Sequence, residues 1–430
     1  MPFRSGSVSY RRFRVSSDVQ RGVDDALLGE LAANVLTPPS VGAPPELQAG
    51  FVAGRHVLDE SFERGVCAYE HLLLAGVRID VNRMPSELRR AYRAIEESAR
   101  AAASPTGFLS RGEKRQAHEE AERRCERELA EGKHRRSRLV PMLWDLPRGL
   151  LLMPVSGERV EQAVRDLFQS ALGMRVQGRS AGSLAWDLLS DKGFGNAIDD
   201  ARPSAFTASP VDRGGSGESA IGEHPEVPWA QAGAEPKDFL GNEFLMWLWC
   251  ITETDEGLVE TADGEVAIVI DRALELDCAW GVTGRTSLRG EAPTRLAEAT
   301  KALHHGKWLR RCGLIVSHRG QQWTLSLQGD RFAIAGAALP PIEKAETQRD
   351  ETEQRLALTL DLDRALLAMY EAFLRLRLGR EWESWRSRIA EWIAERASVT
   401  TAAPSGAAKD DADTEDATDA ETVEELESVA

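Results

Sequence analysis

The sequence predicts an α+β protein in which antiparallel sheets carry appended helices in two halves of the chain. Three observations lead there. Short apolar runs recur in pairs separated by turn residues, the pattern of antiparallel hairpins. Helix-period segments follow these pairs instead of alternating strictly with single strands, which argues against a doubly wound parallel sheet. Towards the end, two long helical stretches succeed one another with no strand between them.

In order along the chain, Val8 to Val15 alternates as a strand does. Asp18 then stands as the N-cap of a helix with Val19, Val23, Ala26, Leu27 and Leu31 on one face, and Pro38, Pro39, Pro44 and Pro45 mark a loop. A strand is expected over 72–81. Ser86, directly after Pro85, opens a helix with the face Leu88, Tyr92, Ile95 and Ala99. A second helix spans 110–130. Its apolar stripe is thin (Ala117, Ala121, Cys125, Leu129) and its charges pair at i,i+4 as Glu119/Arg123 and Glu120/Arg124. Such a helix projects into solvent or packs on one side only. A hairpin follows over 139–155, turning at Pro147-Arg148-Gly149. After it comes a helix over 157–172 with Val160, Val164, Leu167 and Phe168 inward.

Residues 200–238 are rich in Pro, Gly, Ser and Glu without periodicity and read as a flexible insert. They separate an N-terminal α+β domain, 1–199, from a C-terminal one, 239–397. The second domain opens with the dense aromatic helix Phe239 to Trp249, read as buried core. Strands are expected at 265–270, 274–279, 314–317, 322–327 and 332–335. The third and fourth of these flank Arg319-Gly320 as a hairpin. Long helices run over 343–378 and from Glu381, the latter carrying Trp382, Trp385, Ile389, Trp392 and Ile393.

At 430 residues and 42% hydrophobic content the chain is long enough for two or three domains with a substantial core. No apolar run approaches the roughly 18–20 residues that cross a bilayer. The N-terminus has no apolar stretch of the secretory kind. Five scattered cysteines with no C-x-x-C fit reduced thiols and neither a disulfide frame nor a zinc site, so a cytoplasmic protein is expected.

The net charge of −16 is unevenly spread. Residues 1–200 hold 29 Lys+Arg against 28 Asp+Glu. Residues 398–430 hold ten acids against Lys409, so this segment supplies −9 and reads as a disordered acidic tail. It either solubilises the protein or competes with polyanions for the protein's own basic surface.

That surface is suggested by Lys133-His134-Arg135-Arg136-Ser137-Arg138, a compact cluster placed between the charged helix and an apolar strand. Clusters of this kind give sequence-independent affinity for phosphate through counterion release. The plainer reading is a solvated loop whose cations pair with neighbouring acids. Arg111, Lys114 and Arg115 on the preceding helix form a second group. Lys307, Arg310 and Arg311 form a third.

Other motifs carry less. Gly178-Arg179-Ser180-Ala181-Gly182 matches the G-x-S-x-G nucleophile elbow, but an elbow needs a parallel sheet beneath it, so a loop closing a domain is the better account. His304 and His305 are adjacent on a helix and diverge by about 100°, which suits one metal ion poorly. The Gly-Lys pairs 132–133 and 306–307 lack the rest of a P-loop, and Gly214 to Gly217 is linker composition. No catalytic residue, metal or cofactor is expected.

Read in this order, residues 7–394 resemble the RdgC family of bacterial recombination-associated DNA-binding proteins, interrupted by the 200–238 insert. The matching blocks are the opening strand and helix; Gly50-Phe51, where the family usually shows Gly-Trp; Arg78-Ile79-Asp80 leading to Arg83-Met84-Pro85; the charged helix with Glu113-Lys114; the basic run; and Met142-Leu143-Trp144-Asp145. In the C-terminal half, Phe239 to Trp249 and Gly306-Lys307 look like the longer, divergent branch of that family. The resemblance implies a homodimer that closes as a ring around double-stranded DNA, nucleoid association, and modulation of recombination or replication. Where the family carries a basic and aromatic pair before Met-x-Trp, Lys133 can stand for the basic member, but Arg135 takes the aromatic's position. A purely electrostatic contact by Lys133, His134, Arg135, Arg136 and Arg138 is therefore the expectation here. If about six phosphates are neutralised, affinity falls on the order of a thousandfold between 50 and 200 mM salt. The alternatives are a protein-interaction scaffold that never touches DNA and, behind it, a nuclease, for which no compact Asp/Glu/Lys constellation is visible in the sequence.

Overall fold

A computed structural model describes residues 2–16, 22–37, 45–105, 107–155, 157–210, 224–231, 235–342 and 345–402. The fold is mixed α+β, with antiparallel sheet and two long C-terminal helices. The chain divides into two compact units, one formed by Val15–Gln177 and the other by the described residues of Met1–Arg14 and Gly178–Glu424. This division lies at 177/178, not at 199/200, because the opening strand and the helix after Ser180 pack with the C-terminal elements. Asp18, Val19, Pro38, Pro39, Pro44, Gly214 to Gly217 and the acidic tail from 403 lie outside the described residues.

The Val15–Gln177 unit follows strand β1 (Val8–Ser16), whose first part pairs in the other unit. Helix α1 (Asp25–Ala33) begins later than the sequence suggests. Asp24 is its N-cap, the carboxylate accepting from Leu27 N at 2.8 Å. Strand β2 (Leu47–Val52), helix α2 (Arg64–Cys67) and strands β3 (Ala68–Tyr69) and β4 (Leu72–Asn82) follow. Helices α3 (Ser86–Ala103) and α4 (Arg111–Ala130) then lead into β5 (Arg135–Asp145), β6 (Leu150–Met153) and α5 (Glu158–Leu172). The sheet order is β6-β5-β4-β2, all antiparallel, with β3 also on β4. Beta4 is buried along nearly its whole length, as a central strand should be. Phe168 of α5 packs edge-on against Phe51 and Trp144, at 5.4 and 5.7 Å between ring centroids, and seals one face.

Helices α3 and α4 form a hairpin inserted between the paired strands β4 and β5. Ser110 and Glu113 build a reciprocal capping box at the start of α4, a device worth about 1 kcal/mol. Only Ala117, Ala121 and Cys125 of α4 are buried, in line with packing on one side. Its charges pair as Arg115–Glu119, Glu120–Arg123 and Arg124–Glu128 instead of Glu119/Arg123 and Glu120/Arg124. Alpha3 differs more from expectation. It meets α4 through its polar side, by Arg93–Glu122 and Arg100–Gln116, and through Tyr92, the one member of the expected apolar face turned to α4, which donates to Glu128. Leu88, Ile95 and Ala99 consequently stay exposed, and α3 buries no residue fully.

Strand β7 (Arg175–Arg179) runs across the 177/178 division, and the second unit continues with α6 (Ala181–Leu189), α7 (Gly195–Asp200) and α8 (Pro228–Gln231). The buried helix α9 (Phe239–Thr254) precedes strands β8 (Leu258–Thr261), β9 (Gly264–Cys278) and β10 (Thr286–Arg289). Helix α10 (Ala297–His304), strands β11 (Lys307–His318), β12 (Gln321–Gln328) and β13 (Ala333–Ala338), and helices α11 (Gln348–Arg377) and α12 (Trp382–Ala402) complete it. The sheet order is β10-β9-β11-β12-β13-β1, with β8 also on β9. Beta9 is one strand where the sequence suggested two. Arg272, at φ 64°, interrupts its alternation as a bulge opposite the register shift in β11. The hairpin at Arg319-Gly320 is a two-residue turn with both φ positive, at 49° and 78°, which glycine makes easy at the second position. Phe244 of α9 packs among Phe332, Tyr370 and Phe373 at 5.3–6.0 Å and anchors the core.

The described parts of 200–238 are packed, contrary to the linker reading. Phe206 sits 5.3 Å from the Trp308 ring, and Val227 and Ala230 are buried. Ser204 N donates to Glu243 Oε1 at 2.6 Å, and Arg377, ion-paired to Glu243, donates to the Arg202 carbonyl. The composition of this stretch hid a few apolar anchors among many polar residues.

Candidate nucleic-acid interface

The basic cluster is not a loop. Lys133 and His134 lie in the turn after α4, and Arg135 to Arg138 open β5, paired in register with Asn82 back to Ile79 of β4. Alternation along the strand then splits the cations. Arg136 and Arg138 share the face of Val81 and Ile79, about 7 Å apart along the strand. Arg135 lies on the other face with Ser137, Asp80, Asn82 and Arg78.

Three of the five stand beside acids. Lys133 Nζ lies 2.6 Å from Glu131, whose hydrogen bond and charge raise the ammonium's pKa. His134 Nε2 meets Glu128 Oε2 at 2.8 Å, and this hydrogen bond, more than those from Tyr92 and Arg124, lowers the Glu128 carboxyl's pKa. Arg135 Nε lies 3.6 Å from Asp80, a buried carboxylate already held by Arg78 at 2.8 and 2.7 Å. Arg136 and Arg138 are solvent-exposed, and among the described residues neither has a carboxylate within ion-pairing distance. Partial shielding by the surrounding chain lowers the Arg138 guanidinium's pKa, yet it stays charged at neutral pH.

Asp80 and Glu128 were not singled out from the sequence as partners of this cluster. The alternation of Arg78-Ile79-Asp80 was a usable signal once β4 and β5 were taken as paired. Glu128 could be found only by noticing that the turn after α4 folds back on its last helical turn.

Arg111, Lys114 and Arg115 lie at the opposite end of α4, about 30 Å away along a 20-residue helix. Arg115 pairs with Glu119 at 3.0 Å, whereas Arg111 and Lys114 have no carboxylate partner among the described residues. The third group is internally engaged. Lys307 Nζ donates to Gly284 O and to Thr286 Oγ1, Arg310 contacts Asp277 at 3.4 Å and Asp330 at 3.8 Å, and Arg311 lies 3.7 Å from Glu275. Those contacts tie β11 to its neighbours and leave little charge for a ligand.

The remaining motifs resolve into packing. Ser180 follows a strand and precedes a helix, yet its backbone is extended (φ −103°, ψ 177°) and not strained. Its hydroxyl hydrogen-bonds the carboxylate of Asp238. The motif's second glycine, Gly182, lies where a Cβ would come 2.5 Å from Glu235, so close packing accounts for it. His305 Nδ1 bonds the Lys301 carbonyl at 2.6 Å, and the His304 and His305 rings stand 6.3 Å apart at 76°. Among the described residues no three His, Cys, Asp or Glu side chains are grouped to hold a metal ion. No helix among them is long and apolar enough to cross a membrane.

No protein-family model matches this chain, and no curated protein is significantly similar to it in sequence.

Proposed function

We propose that this protein binds double-stranded DNA without sequence preference, as a homodimer that encloses the duplex, and that it modulates recombination or replication without itself carrying out a chemical step. The observation that carries the reading is the pair Arg136 and Arg138, side by side on one face of β5 and free of acidic partners among the described residues. Two permanent cations about 7 Å apart on a rigid strand suit phosphate contact. Their neighbours Lys133, His134 and Arg135 are engaged with acids and serve the local fold. The homodimer, the nucleoid association and the link to recombination rest on the resemblance to the RdgC family.

The test is fluorescence anisotropy of the purified protein on two unrelated blunt duplexes across a salt series. Equal affinities that fall steeply with salt support the proposal. Absence of binding at low salt, or affinity indifferent to salt, refutes it. One observation favours the scaffold reading instead. The exposed face of α3, with Ile95 52% accessible, is the kind of surface a protein partner covers.

A further inference from the structure

Between α3 and α4 the described residues 104–105 and 107–110 include a phenylalanine held out into solvent. Phe108 is 82% exposed, the most exposed large apolar side chain among the described residues. The described residues around it are hydrogen-bonded to one another. Ser104 N donates to the Ala101 carbonyl at 3.1 Å, Gly107 N donates to the Ser104 carbonyl at 3.1 Å, and Ser104 Oγ donates to the Phe108 carbonyl at 3.1 Å. Gly107, at φ 69°, makes the turn that a side chain would resist. On the far side the Ser110–Glu113 capping box fixes the start of α4. The ring is therefore flanked on both sides by hydrogen-bonded backbone.

Charge is polarised along the hairpin in the same direction. Residues 98–117 carry Arg100, Arg111, Lys114 and Arg115 against Glu113 alone, a net charge of +3, and Glu113 is committed to the cap. Residues 119–128 carry five acids against three arginines. Arg111 and Lys114 are one helical turn apart on one side of α4, just beyond Phe108. A membrane or a protein groove would call for a contiguous apolar patch. Here the nearest other large exposed apolar residue, Ile95, lies more than two helical turns before the end of α3. One flat ring bordered by unpaired cations matches the face of a single nucleobase, with phosphates on either side of it.

We propose that Phe108 stacks on an unpaired nucleobase while Arg111 and Lys114 hold the adjoining phosphates, giving the protein a single-strand contact about 30 Å from the duplex contact at Arg136 and Arg138. This rests on the DNA-binding reading above and adds a second, chemically distinct subsite to it. Stacking is indifferent to base identity, so sequence preference does not arise at this subsite either.

The experiment compares the full chain with Phe108→Ala, Phe108→Trp and Arg111→Ala/Lys114→Ala on a 20-nucleotide oligothymidine with a central 2-aminopurine and on a blunt 20-base-pair duplex. Phe108→Ala is expected to weaken single-strand binding by roughly five- to a hundredfold, the loss of one base–aromatic stack, and to abolish the 2-aminopurine quenching. Duplex affinity should change by less than about twofold, and Phe108→Trp should restore both single-strand signals. Unchanged oligothymidine affinity and quenching in Phe108→Ala overturn the proposal and leave duplex binding standing. A change of solution mass in Phe108→Ala, with DNA affinity intact, also overturns it and assigns the tip to self-association. If the parent binds neither oligonucleotide, the DNA-binding reading itself has failed.

Discussion

Replacing Asp238 by asparagine should make the protein more stable at neutral and alkaline pH while changing little in acid. Asp238 is 5% exposed, at the start of α9, and instead of capping its own helix it serves α6. Its Oδ1 accepts from Gly182 N at 2.9 Å, and Ser180 Oγ hydrogen-bonds it as well. Burial pushes its pKa from 3.8 up to about 7, with Asp330 and Glu235 adding repulsion and the two hydrogen bonds opposing it. The sign follows from proton linkage. Between these two pKa values the folded chain holds a proton that the unfolded chain has lost, so stability falls as pH rises through that window and is level above it. A shift of about three units at 1.36 kcal/mol each gives a cost of about 4 kcal/mol above pH 7. Asparagine keeps an acceptor for Gly182 N and carries no charge to desolvate. Urea unfolding of both proteins, followed by tryptophan emission at pH 5, 6, 7 and 8, isolates this residue as a difference. The variant should gain about 2–4 kcal/mol relative to the parent between pH 5 and 8. Parallel curves over that range would refute a buried carboxyl titrating near neutrality.

Two further outcomes follow from the ion pairs. Glu243→Ala leaves Arg377 buried without its carboxylate, so urea unfolding should show a loss of about 3–5 kcal/mol, and the apolar double variant Glu243→Leu/Arg377→Met should lose less. Arg310→Ala with Arg311→Ala should lower the thermal transition, because Asp330 and Glu275 lose their ion-pair partners and Asp277 keeps only Arg285, yet duplex affinity by anisotropy should stay within about twofold.

Much of the fold was legible where periodicity and burial agree. The strand at 72–81 is β4, and the helix over 157–172 is α5 with the expected residues inward. The turn at Arg319-Gly320 joins β11 to β12 in the expected hairpin. Alpha3 shows where this signal stops. Its apolar stripe is real, but periodicity does not say which way a stripe turns, and α4 offers it only alanines and a cysteine beside a row of glutamates. The polar side of α3 found better partners there, and the apolar side was left outward. The same limit applies to the interface. That Lys133 to Arg138 is cationic is plain from the sequence, but which members remain free depends on Asp80 and Glu128. Asp80 comes from a paired strand more than fifty residues away in sequence, so no local pattern reports it.

On the proposed function, Arg136 and Arg138, not their engaged neighbours, carry duplex binding. The direct measurement is the slope of log affinity against log salt for the parent, for Arg136→Ala/Arg138→Ala and for Lys133→Ala/His134→Ala on one duplex. Losing two phosphate contacts per protomer should flatten the slope by about 1.8, or about 3.6 in a dimer, while the Lys133/His134 variant keeps nearly the parent slope. A parent slope retained by Arg136→Ala/Arg138→Ala, or an equal flattening in both variants, would contradict the claim.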